Sequence, residues 1–310
     1  MRTCGLADHC LKSHRDRIHA PRAIQDVLFA HRVDPALLVP HRRADLRRLG
    51  SAHDGGYVVA LETIVAARHL LSFGLSVNWD FERDAVALNP ELTLEAFDPS
   101  VGPRHFAGMA VRSALSVPLR FMAADPRGAQ SSANRVRTAV DYFRFFSRGV
   151  THTRKRVWYN VDRDSAAIAD ILADVRAKQR GPVFAKIDIE GSEYRILPWI
   201  IGSADLFTGL VVEFHDTDIC AEIFNAQVSQ LLEHFQNVHV HGNNYGDLAI
   251  DGSLPLSLEI TFVHRSLSGL APRDAGPAHA GRPLDAPNDP GRPDFDIDFR
   301  QASGLPNRHS

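Results

Sequence analysis

Short apolar runs alternate with helix-patterned segments along the middle of this 310-residue chain, from about residue 69 to residue 264. Strands that are separated by helices pair in parallel, because a parallel pair needs a crossover of about a dozen residues or more. This alternation therefore restricts the chain to an α/β fold with a mostly parallel sheet. The clearest predicted strands are His69–Leu75, Leu92–Phe97, Arg156–Val161, Val183–Ile189 and Gly209–Phe214.

Helices are predicted between these runs, where apolar residues recur at helical spacing. The pattern predicts helices over Trp79–Leu88, near Ala133–Phe146 and over about Ala221–Phe235. A further helix is predicted to begin at Asp164-Ser165, where a side-chain oxygen can cap it, and to end at Gly181-Pro182.

The last two predicted strands, Val238–His241 and Leu258–His264, have no helix between them. Two strands that are joined without a crossover pair antiparallel, so this end of the sheet is expected to contain one reversed strand. The predicted fold is therefore a single Rossmann-like, doubly wound α/β sheet of seven strands, mostly parallel, with one antiparallel edge strand.

The two ends of the chain differ from the middle in composition. Residues 1–47 form a basic segment in which a helix is predicted over Ala20–Arg32. Prolines and glycines crowd residues 266–310, which predicts a largely disordered tail with one docking segment at Phe295–Phe299. Removal of this tail is expected to leave the melting temperature nearly unchanged. The domain that carries the chemistry is predicted to span residues 48–265.

Composition and charge exclude several classes of protein. The 35 Lys and Arg residues are balanced by 37 Asp and Glu residues, and this balance gives no indication of a nucleic-acid partner. Three cysteines are too few for a disulfide framework or a cysteine-based zinc site, so a reducing, cytoplasmic location is expected. No apolar stretch approaches the ~20 residues that span a bilayer, and the N-terminus lacks the apolar core of a secretory signal. The oligomeric state stays open.

Polar residues follow the predicted strands at the points where an open parallel sheet binds its ligands. Gly74 follows the first strand, Asp98 the second, Asp188 and Glu190 the fourth, and His215 the fifth. Because the carboxyl ends of parallel strands meet at one edge of a sheet, these residues are expected to surround one crevice.

Each of these residues also has a structural interpretation. Gly74 fits an ordinary turn, since its loop lacks the G-x-G-x-x-G spacing of dinucleotide sites. Asp98 lies about two dozen residues later, which fits either a ribose-binding carboxylate or the first residue of a turn. Asp188 and Glu190 fit a helix cap and a salt bridge, and His215 fits a buried core histidine.

Four parts of the sequence together resemble the FkbM-type methyltransferases, a family of class I enzymes. Lys186–Glu193, with the sequence K-I-D-I-E-G-S-E, resembles the K-I-D-[IV]-E-G-x-E motif of that family. Arg48–Tyr57, Leu71–Gly74 with Trp79–Glu82, and His241–Gly246 resemble further stretches of it. The resemblance covers about residues 48–264.

The resemblance implies an enzyme that uses S-adenosyl-L-methionine and transfers its methyl group, commonly to a hydroxyl of a saccharide or another natural product. It implies a cofactor site made of Phe73, Gly74, Ser76, Asp98 and Asp188. In this site Gly74 would let the backbone approach the amino-acid portion of the cofactor, and Asp98 would bind the ribose hydroxyls. Ser76 stands where the family usually carries a later glycine of a G-x-G-x-G loop.

His215, Asp188 and Glu190 are the predicted catalytic residues, with Asp216 beside them. An alcohol loses a proton when it is methylated, so a base within hydrogen-bond reach is needed. His215 is the preferred base, because a neutral imidazole near pH 7 accepts a proton and Asp216 or Asp188 can hold its tautomer. Asp188 is the competing base, provided that burial raises its basicity.

Two other functions fit overlapping residues. Asp188, Glu190, His215, Asp216 and His241 offer the oxygen and nitrogen ligands of a manganese-, zinc- or magnesium-dependent hydrolase or lyase. A catalytically silent α/β binding module is the third alternative. The methyltransferase prediction includes no metal, and its expected partner is a small-molecule or saccharide acceptor.

Overall fold

The computed structural model describes residues 32–147, 149–249, 254–267 and 284–297. The helix predicted over residues 20–32 therefore lies outside the described residues, apart from Arg32. The strands are β1 Leu46–Gly50, β2 Gly56–Ala60, β3 His69–Phe73, β4 Thr93–Phe97, β5 Val150–Thr153, β6 Arg156–Trp158, β7 Ser165–Ala167, β8 Val183–Ile187, β9 Phe207–Phe214, β10 Phe235–Gly242 and β11 Leu258–His264. The α-helices are α1 Leu61–Ala66, α2 Asp80–Leu88, α3 Pro103–Met122, α4 Pro126–Phe145, α5 Ile168–Ala177, α6 Glu193–Ile201 and α7 Ala221–His234.

Seven strands form the central sheet, in the order β10-β11-β9-β8-β3-β4-β5. The strands from β9 through β8, β3 and β4 to β5 pair in parallel, whereas β11 runs antiparallel to both of its neighbours. The predicted doubly wound fold with one reversed strand near its edge is confirmed: β11 lies between β9 and the edge strand β10. The strand order reverses at β3 and β8, where such sheets open a ligand crevice.

Helices cover both faces of this sheet and explain why its strands are continuous apolar runs. Every residue of β3, β8 and β9 is buried, because side chains on both faces meet helices. On one face α5, α6 and α7 contribute residues such as Ile171, Leu197 and Leu231. On the other face α1 and α2 contribute residues such as Ile64 and Phe81.

The third strand of the central sheet lies earlier than the sequence predicted. The sheet uses Val150–Thr153, which pairs with β4, whereas the prediction was Arg156–Val161. Arg156–Trp158 pairs instead with Ser165–Ala167 in a small separate sheet. The strand β5 has the sequence V-T-H-T and is only partly buried at the sheet edge, so it has no apolar run to reveal it. The pairing of β7 also moves the start of α5 from the predicted Asp164-Ser165 to Ile168.

Residues between β4 and β5 fold into a helical hairpin, α3 and α4, of which the sequence predicted only the part near Ala133–Phe146. The base of the hairpin packs on the sheet domain through Phe106 and Tyr142, whose rings stack 4.0 Å apart, with Trp79 edge-on to both. Both helices contain 20 residues. Among the helices that the structure describes, none combines the length and apolar character needed to cross a membrane.

Residues 284–297 lie against β10 and β11 and the loop between β1 and β2. Asp285 lies 2.8 Å from His239, and the buried Asn288 donates to Glu259 at 2.7 Å. The carbonyl of Pro287 lies 2.9 Å from His53 Nδ1. The sequence predicted a largely disordered tail that docks at most through an edge strand at residues 295–299. The observed docking begins earlier and uses polar side chains, and residues 295–297 are not in a strand.

Candidate active site

A cavity of about 450 Å³ opens at the carboxyl ends of β3, β4 and β8. This volume falls within the range of small-molecule sites in proteins. Five predicted site residues that follow these strands line it together, along with the loop after β1. The lining residues include Asp54, Gly74, Ser76, Asn78, Asp98, Arg156, Lys186, Asp188, Ile189 and Glu190.

The loop after β3 is held tightly against the end of β8. Asp188 N donates to the carbonyl of Phe73 at 2.8 Å, and Gly74 has a φ of +86°. A Cβ at position 74 would lie 1.7 Å from the carbonyl oxygen of Asp188, so only glycine fits there. Ser76 also has a positive φ, +50°, so the backbone there keeps a shape that glycine usually supplies.

Two residues of the predicted cofactor site occupy different positions relative to the cavity. Ser76 lies in its wall, whereas the side chain of Phe73 is fully buried in the core beneath the loop and contacts the ring of Phe97. The carbonyl of Phe73 holds Asp188 in place, whereas its side chain is not part of the cavity lining.

Asp98 lies in the cavity wall with both carboxylate oxygens bonded to the protein. Oδ2 accepts from Leu75 N at 2.9 Å and from Ser76 N at 2.7 Å. Oδ1 accepts from the backbone and the hydroxyl of Ser100 at 2.6 and 2.5 Å. Burial opposes the charge, but these hydrogen bonds lower the pKa of Asp98 below its ordinary value. Asp98 thus shapes the loop after β3, and ribose hydroxyls would have to share or replace these bonds.

Lys186 contacts the same loop from the neighbouring strand. Its ammonium donates to the carbonyl of Gly74 at 2.6 Å and lies 3.7 Å from the buried Glu82, which in turn accepts from Ser72. The distance to Asp188 is longer, 4.0 Å, so the salt bridge considered from the sequence is not the main contact. Burial acts against the charge, yet Glu82 and Asp188 raise the pKa of Lys186 above its ordinary value.

Asp188 belongs to a buried network behind the cavity. The hydroxyl of Tyr57 donates to Asp188 Oδ2 at 2.8 Å and lies 3.3 Å from Glu213 Oε2. Asn243 donates to Glu213 Oε1 at 2.8 Å. Burial and the nearby Asp188 carboxylate raise the pKa of Glu213 well above its ordinary value. Tyr57 is also buried, which raises the pKa of its hydroxyl and keeps it a hydrogen-bond donor.

His215 lies beside this network and is held by a residue that the sequence analysis did not select. The partner of Nδ1 is the fully buried Glu193, at 3.2 Å, whereas Asp216 or Asp188 was predicted in this role. Burial would lower the pKa of His215, but the bond to Glu193 and the carboxylates of Glu213 and Asp188 raise it well above its ordinary value. This direction of the pKa shift favours the protonated form of His215, whereas the sequence analysis predicted a neutral imidazole.

Asp188, Glu213 and His215, here called the Asp188 cluster, place one ligand atom each within 4.8 Å of one another. His215 Nε2 lies 3.5 Å from Glu213 and 3.9 Å from Asp188, and Glu190 lies 3.8 Å away with a largely exposed side chain. A histidine whose other ring nitrogen is held by a carboxylate is a common arrangement in metal sites. Among the residues that the structure describes, these three are placed to hold a divalent ion.

His241, which the sequence analysis included in a possible metal set, lies in a separate cluster. Its Nδ1 is 3.1 Å from Glu259 and its Nε2 is 3.1 Å from Asp294. Despite burial, these two carboxylates raise the pKa of His241 to about 10. We call His241, Glu259 and Asp294 the His241 cluster. The residues predicted as metal ligands therefore do not form one site: His241 lies apart from Asp188 and His215, and Glu213, which was not predicted, lies beside these two.

Tyr57, Glu193, Glu213 and Asn243 contact Asp188, Glu213 or His215 and were not among the predicted site residues. Glu213 had a detectable signal, because it lies two residues before His215 and therefore points to the same face of β9. Glu193 belongs to the K-I-D-I-E-G-S-E stretch but was given no role. Tyr57 and Asn243 come from β2 and from the turn after β10, and only the folded chain brings them to Asp188 and Glu213.

Comparisons with known proteins add little to this description. No protein-family model matches the sequence, and no curated protein does either. A fibrillarin pre-rRNA processing protein of Methanococcus jannaschii is 11% identical over 65% of this chain and 68% of its own, with a TM-score of 0.33. A fibrillarin/Nop5p complex is 10% identical over 70% of this chain and 91% of that chain, also with a TM-score of 0.33. The α/β fold class therefore rests on the strand order described above.

Proposed function

We propose that this chain is an S-adenosylmethionine-dependent class I methyltransferase of the FkbM type, which methylates a hydroxyl of a saccharide or another natural product. The observation that carries the proposal is the cavity at β3, β4 and β8. Its walls come from the K-I-D-I-E-G stretch and from the loop after Gly74, two of the parts that resemble that family. The reversed last strand, β11, also agrees with the fold that the resemblance implies.

The residues of the cavity suit this cofactor. Its wall carries the carboxylates of Asp54, Asp98, Asp188 and Glu190 and only two cationic side chains, those of Lys186 and Arg156. An acidic wall stabilises a ligand that bears a sulfonium and an ammonium group. The residues that would hold the cofactor are those of the loop from Gly74 to Ser76, with Asp98 fixing the loop and Asp188 facing it.

S-adenosylmethionine, when bound, would supply an electrophilic methyl group to the acceptor oxygen, with S-adenosylhomocysteine as the leaving group. Asp188 lines the cavity and also belongs to the buried network, so we propose that Asp188 is the base that accepts the proton from the acceptor hydroxyl. Tyr57 occupies Asp188 Oδ2, which leaves Oδ1 for the hydroxyl. The imidazolium of His215, 3.9 Å from Oδ1, is a positioning residue that balances the negative charge of the cluster.

Calorimetric titration with S-adenosylhomocysteine tests the cofactor assignment. The Asp98→Ala variant should bind about ten- to a hundredfold more weakly than the unchanged protein, a loss of about 1.5–3 kcal/mol, because four hydrogen bonds that shape the loop disappear. Asp205→Asn is the matched control, since Asp205 is exposed and pairs with Arg176 away from the cavity. Equal affinity in Asp98→Ala and the control would remove Asp98 from the site.

A metal-dependent hydrolase or lyase is the second candidate, because the Asp188 cluster brings three potential ligands together. Melting temperatures separate the candidates. S-adenosylhomocysteine raises the melting temperature of a methyltransferase, whereas Mn²⁺ or Zn²⁺ alone raises that of the metal enzyme. A binding module that has lost the cofactor responds to neither.

A cytoplasmic location and an acceptor that is not a nucleic acid are parts of the methyltransferase proposal.

A further inference from the structure

The hairpin of α3 and α4 exposes an apolar stripe that faces away from the protein. Val111, Leu115, Leu119 and Met122 follow one another at intervals of four, four and three residues, which places them on one side of α3. Their exposed fractions are 60%, 67%, 65% and 85%. The opposite side of α3 carries its buried residues, Phe106 and Ser113. A helix that packs on a domain normally has the reverse arrangement, with its apolar side inward.

The same hairpin is strongly basic. Residues 103–145 contain seven arginines and two aspartates, a net charge of +5 in a chain whose net charge is −2. Both aspartates are paired, Asp125 with Arg120 and Asp141 with Arg83. Within the described ranges, six arginines of the hairpin have no carboxylate within ion-pair distance. These are Arg104, Arg112, Arg127, Arg135, Arg137 and Arg144.

An anionic bilayer surface is the partner that fits both properties. Interfacial helices bury an apolar side at the boundary of headgroups and acyl chains while arginines contact anionic lipids. Leu119, Phe121 and Met122 lie at the tip of the hairpin, which extends along α3 for about 30 Å. A nucleic acid would engage the arginines but would leave the exposed aliphatic stripe in water. In the part of the chain that is described, no other segment covers this stripe.

We propose that the α3–α4 hairpin docks this protein on anionic lipid bilayers, with the apolar stripe in the interface and the arginines on the headgroups. The proposal concerns a surface outside the cavity and does not depend on methyl transfer. Docking of this kind is peripheral, which agrees with the lack of a membrane-crossing helix among the described residues.

Co-sedimentation of the full chain with vesicles tests the proposal. Vesicles of phosphatidylcholine with phosphatidylserine should bind the protein, and vesicles of phosphatidylcholine alone should bind it at least about tenfold more weakly. The double variant Leu119→Ser/Met122→Ser should lose about tenfold or more of the affinity for the anionic vesicles. Arg112→Gln/Arg127→Gln should lose a similar factor, since each arginine near the surface contributes about fivefold.

Val65→Ser/Arg68→Gln is the matched control, because Val65 and Arg68 are an exposed apolar and an exposed basic residue of the sheet domain. It should bind anionic vesicles like the unchanged protein. All variants should keep the melting temperature and the S-adenosylhomocysteine affinity of the unchanged protein, so failure of docking is distinguishable from failure of the proposed function.

Four outcomes overturn the proposal. The first is absence of binding to anionic vesicles, and the second is full binding by the Leu119→Ser/Met122→Ser variant, which would indicate a purely electrostatic polyanion contact. The third is tighter binding to single-stranded RNA than to vesicles at equal salt. The fourth is a dimer in size-exclusion chromatography that becomes a monomer in Leu119→Ser/Met122→Ser, since a second copy would then cover the stripe.

Discussion

The Asp188 cluster and the His241 cluster contain similar residues but differ in how their histidines are bonded. They are connected across the sheet, because Glu213 of β9, Glu259 of β11 and His241 of β10 are register partners in one row. Both ring nitrogens of His241 lie 3.1 Å from carboxylates, which is hydrogen-bonding distance. His215 is bonded on one side only, and its Nε2 faces carboxylates at 3.5 to 3.9 Å.

From this difference we infer a structural role for the His241 cluster and a role in the proposed reaction for the Asp188 cluster. Residues 284–297 close the His241 cluster, where Asp294 and Asn288 satisfy the polar groups of His241 and Glu259. The Asp188 cluster is open to the cavity through Asp188 and has room for a proton, an ion or a substrate oxygen. The two clusters contain similar residue types, so residue type alone does not predict their roles. The number of hydrogen bonds that each histidine already makes is the better indication of its role.

The largest effect is expected from the same substitution made in each cluster. Asp188→Asn should reduce turnover about 10²- to 10⁴-fold, because the amide cannot accept the acceptor proton. Asp294→Asn should leave turnover unchanged and lower the melting temperature. The measurement is S-adenosylhomocysteine released with the best acceptor from a panel of saccharides. Turnover of Asp188→Asn at the unchanged rate would show that the hydroxyl proton leaves to water.

The histidines should differ in the same way. His215→Asn removes the cation that balances the Asp188 cluster, so turnover should fall about a hundredfold and the acid limb of the pH–rate profile should move to higher pH. His241→Asn should show neither change, since His241 lies in the closed cluster. An unaltered pH profile in His215→Asn would mean that His215 only packs, and Asp188 would then act without it.

Removal of the C-terminal segment should expose the His241 cluster. In a chain that ends at Ser266, Glu259 loses the bond from Asn288 and His241 loses its contact with Asp294. The buried pair of His241 and Glu259 then keeps only its mutual contact. The expected loss of about 2 kcal/mol corresponds to about 4–8 °C in melting temperature. This reverses the expectation from composition. Calorimetric melting of the full and shortened chains decides between them.

The His241 cluster should also make the stability of the protein depend on pH. The pKa of His241 rises from 6.5 unfolded to about 10 folded, so its contribution is complete below pH 6.5 and is lost as the pH rises to about 10. On the acid side, burial of Asp285 would raise the pKa of its carboxyl, but the hydrogen bond to His239 lowers the pKa below the ordinary value for aspartate. The contribution of Asp285 to stability is therefore lost as the pH falls below that ordinary pKa. The melting temperature of the His241→Gln variant should fall less steeply with rising pH, between about pH 6.5 and 10, than that of the unchanged protein. An identical alkaline slope would assign the loss to His215.

The fold was predictable wherever burial leaves a pattern in the sequence. Strands such as β3 and β8 are buried on both faces and are therefore apolar throughout, and the spacing of strands and helices determines their parallel pairing. The sequence analysis did not predict the strand β5 or the helix α3, because neither has the apolar pattern that burial produces. The first is polar and partly exposed, and the second carries its large apolar residues on the solvent side.

The candidate site was predictable as a set of strand ends but not as a network. Asp188 and Glu190 were predicted from the sequence because they follow a buried strand and lie in the stretch that resembles a family motif. Tyr57 lies 131 residues before Asp188, and its position against that carboxylate depends on the packing of the β1–β2 hairpin. The charge of His215 depends on distances to Glu193 and Glu213, which no sequence pattern specifies.

The close approach at Gly74 limits how this site can change during evolution. Any side chain at position 74 would displace the carbonyl of Asp188, so a substitution there disturbs the cavity loop and the assigned base at once. Ser76 is different, because it already holds the left-handed backbone and can become glycine without moving its neighbours. Substitutions in this loop are therefore expected to be tolerated at position 76 and not at position 74, because only position 74 is in contact with the end of β8.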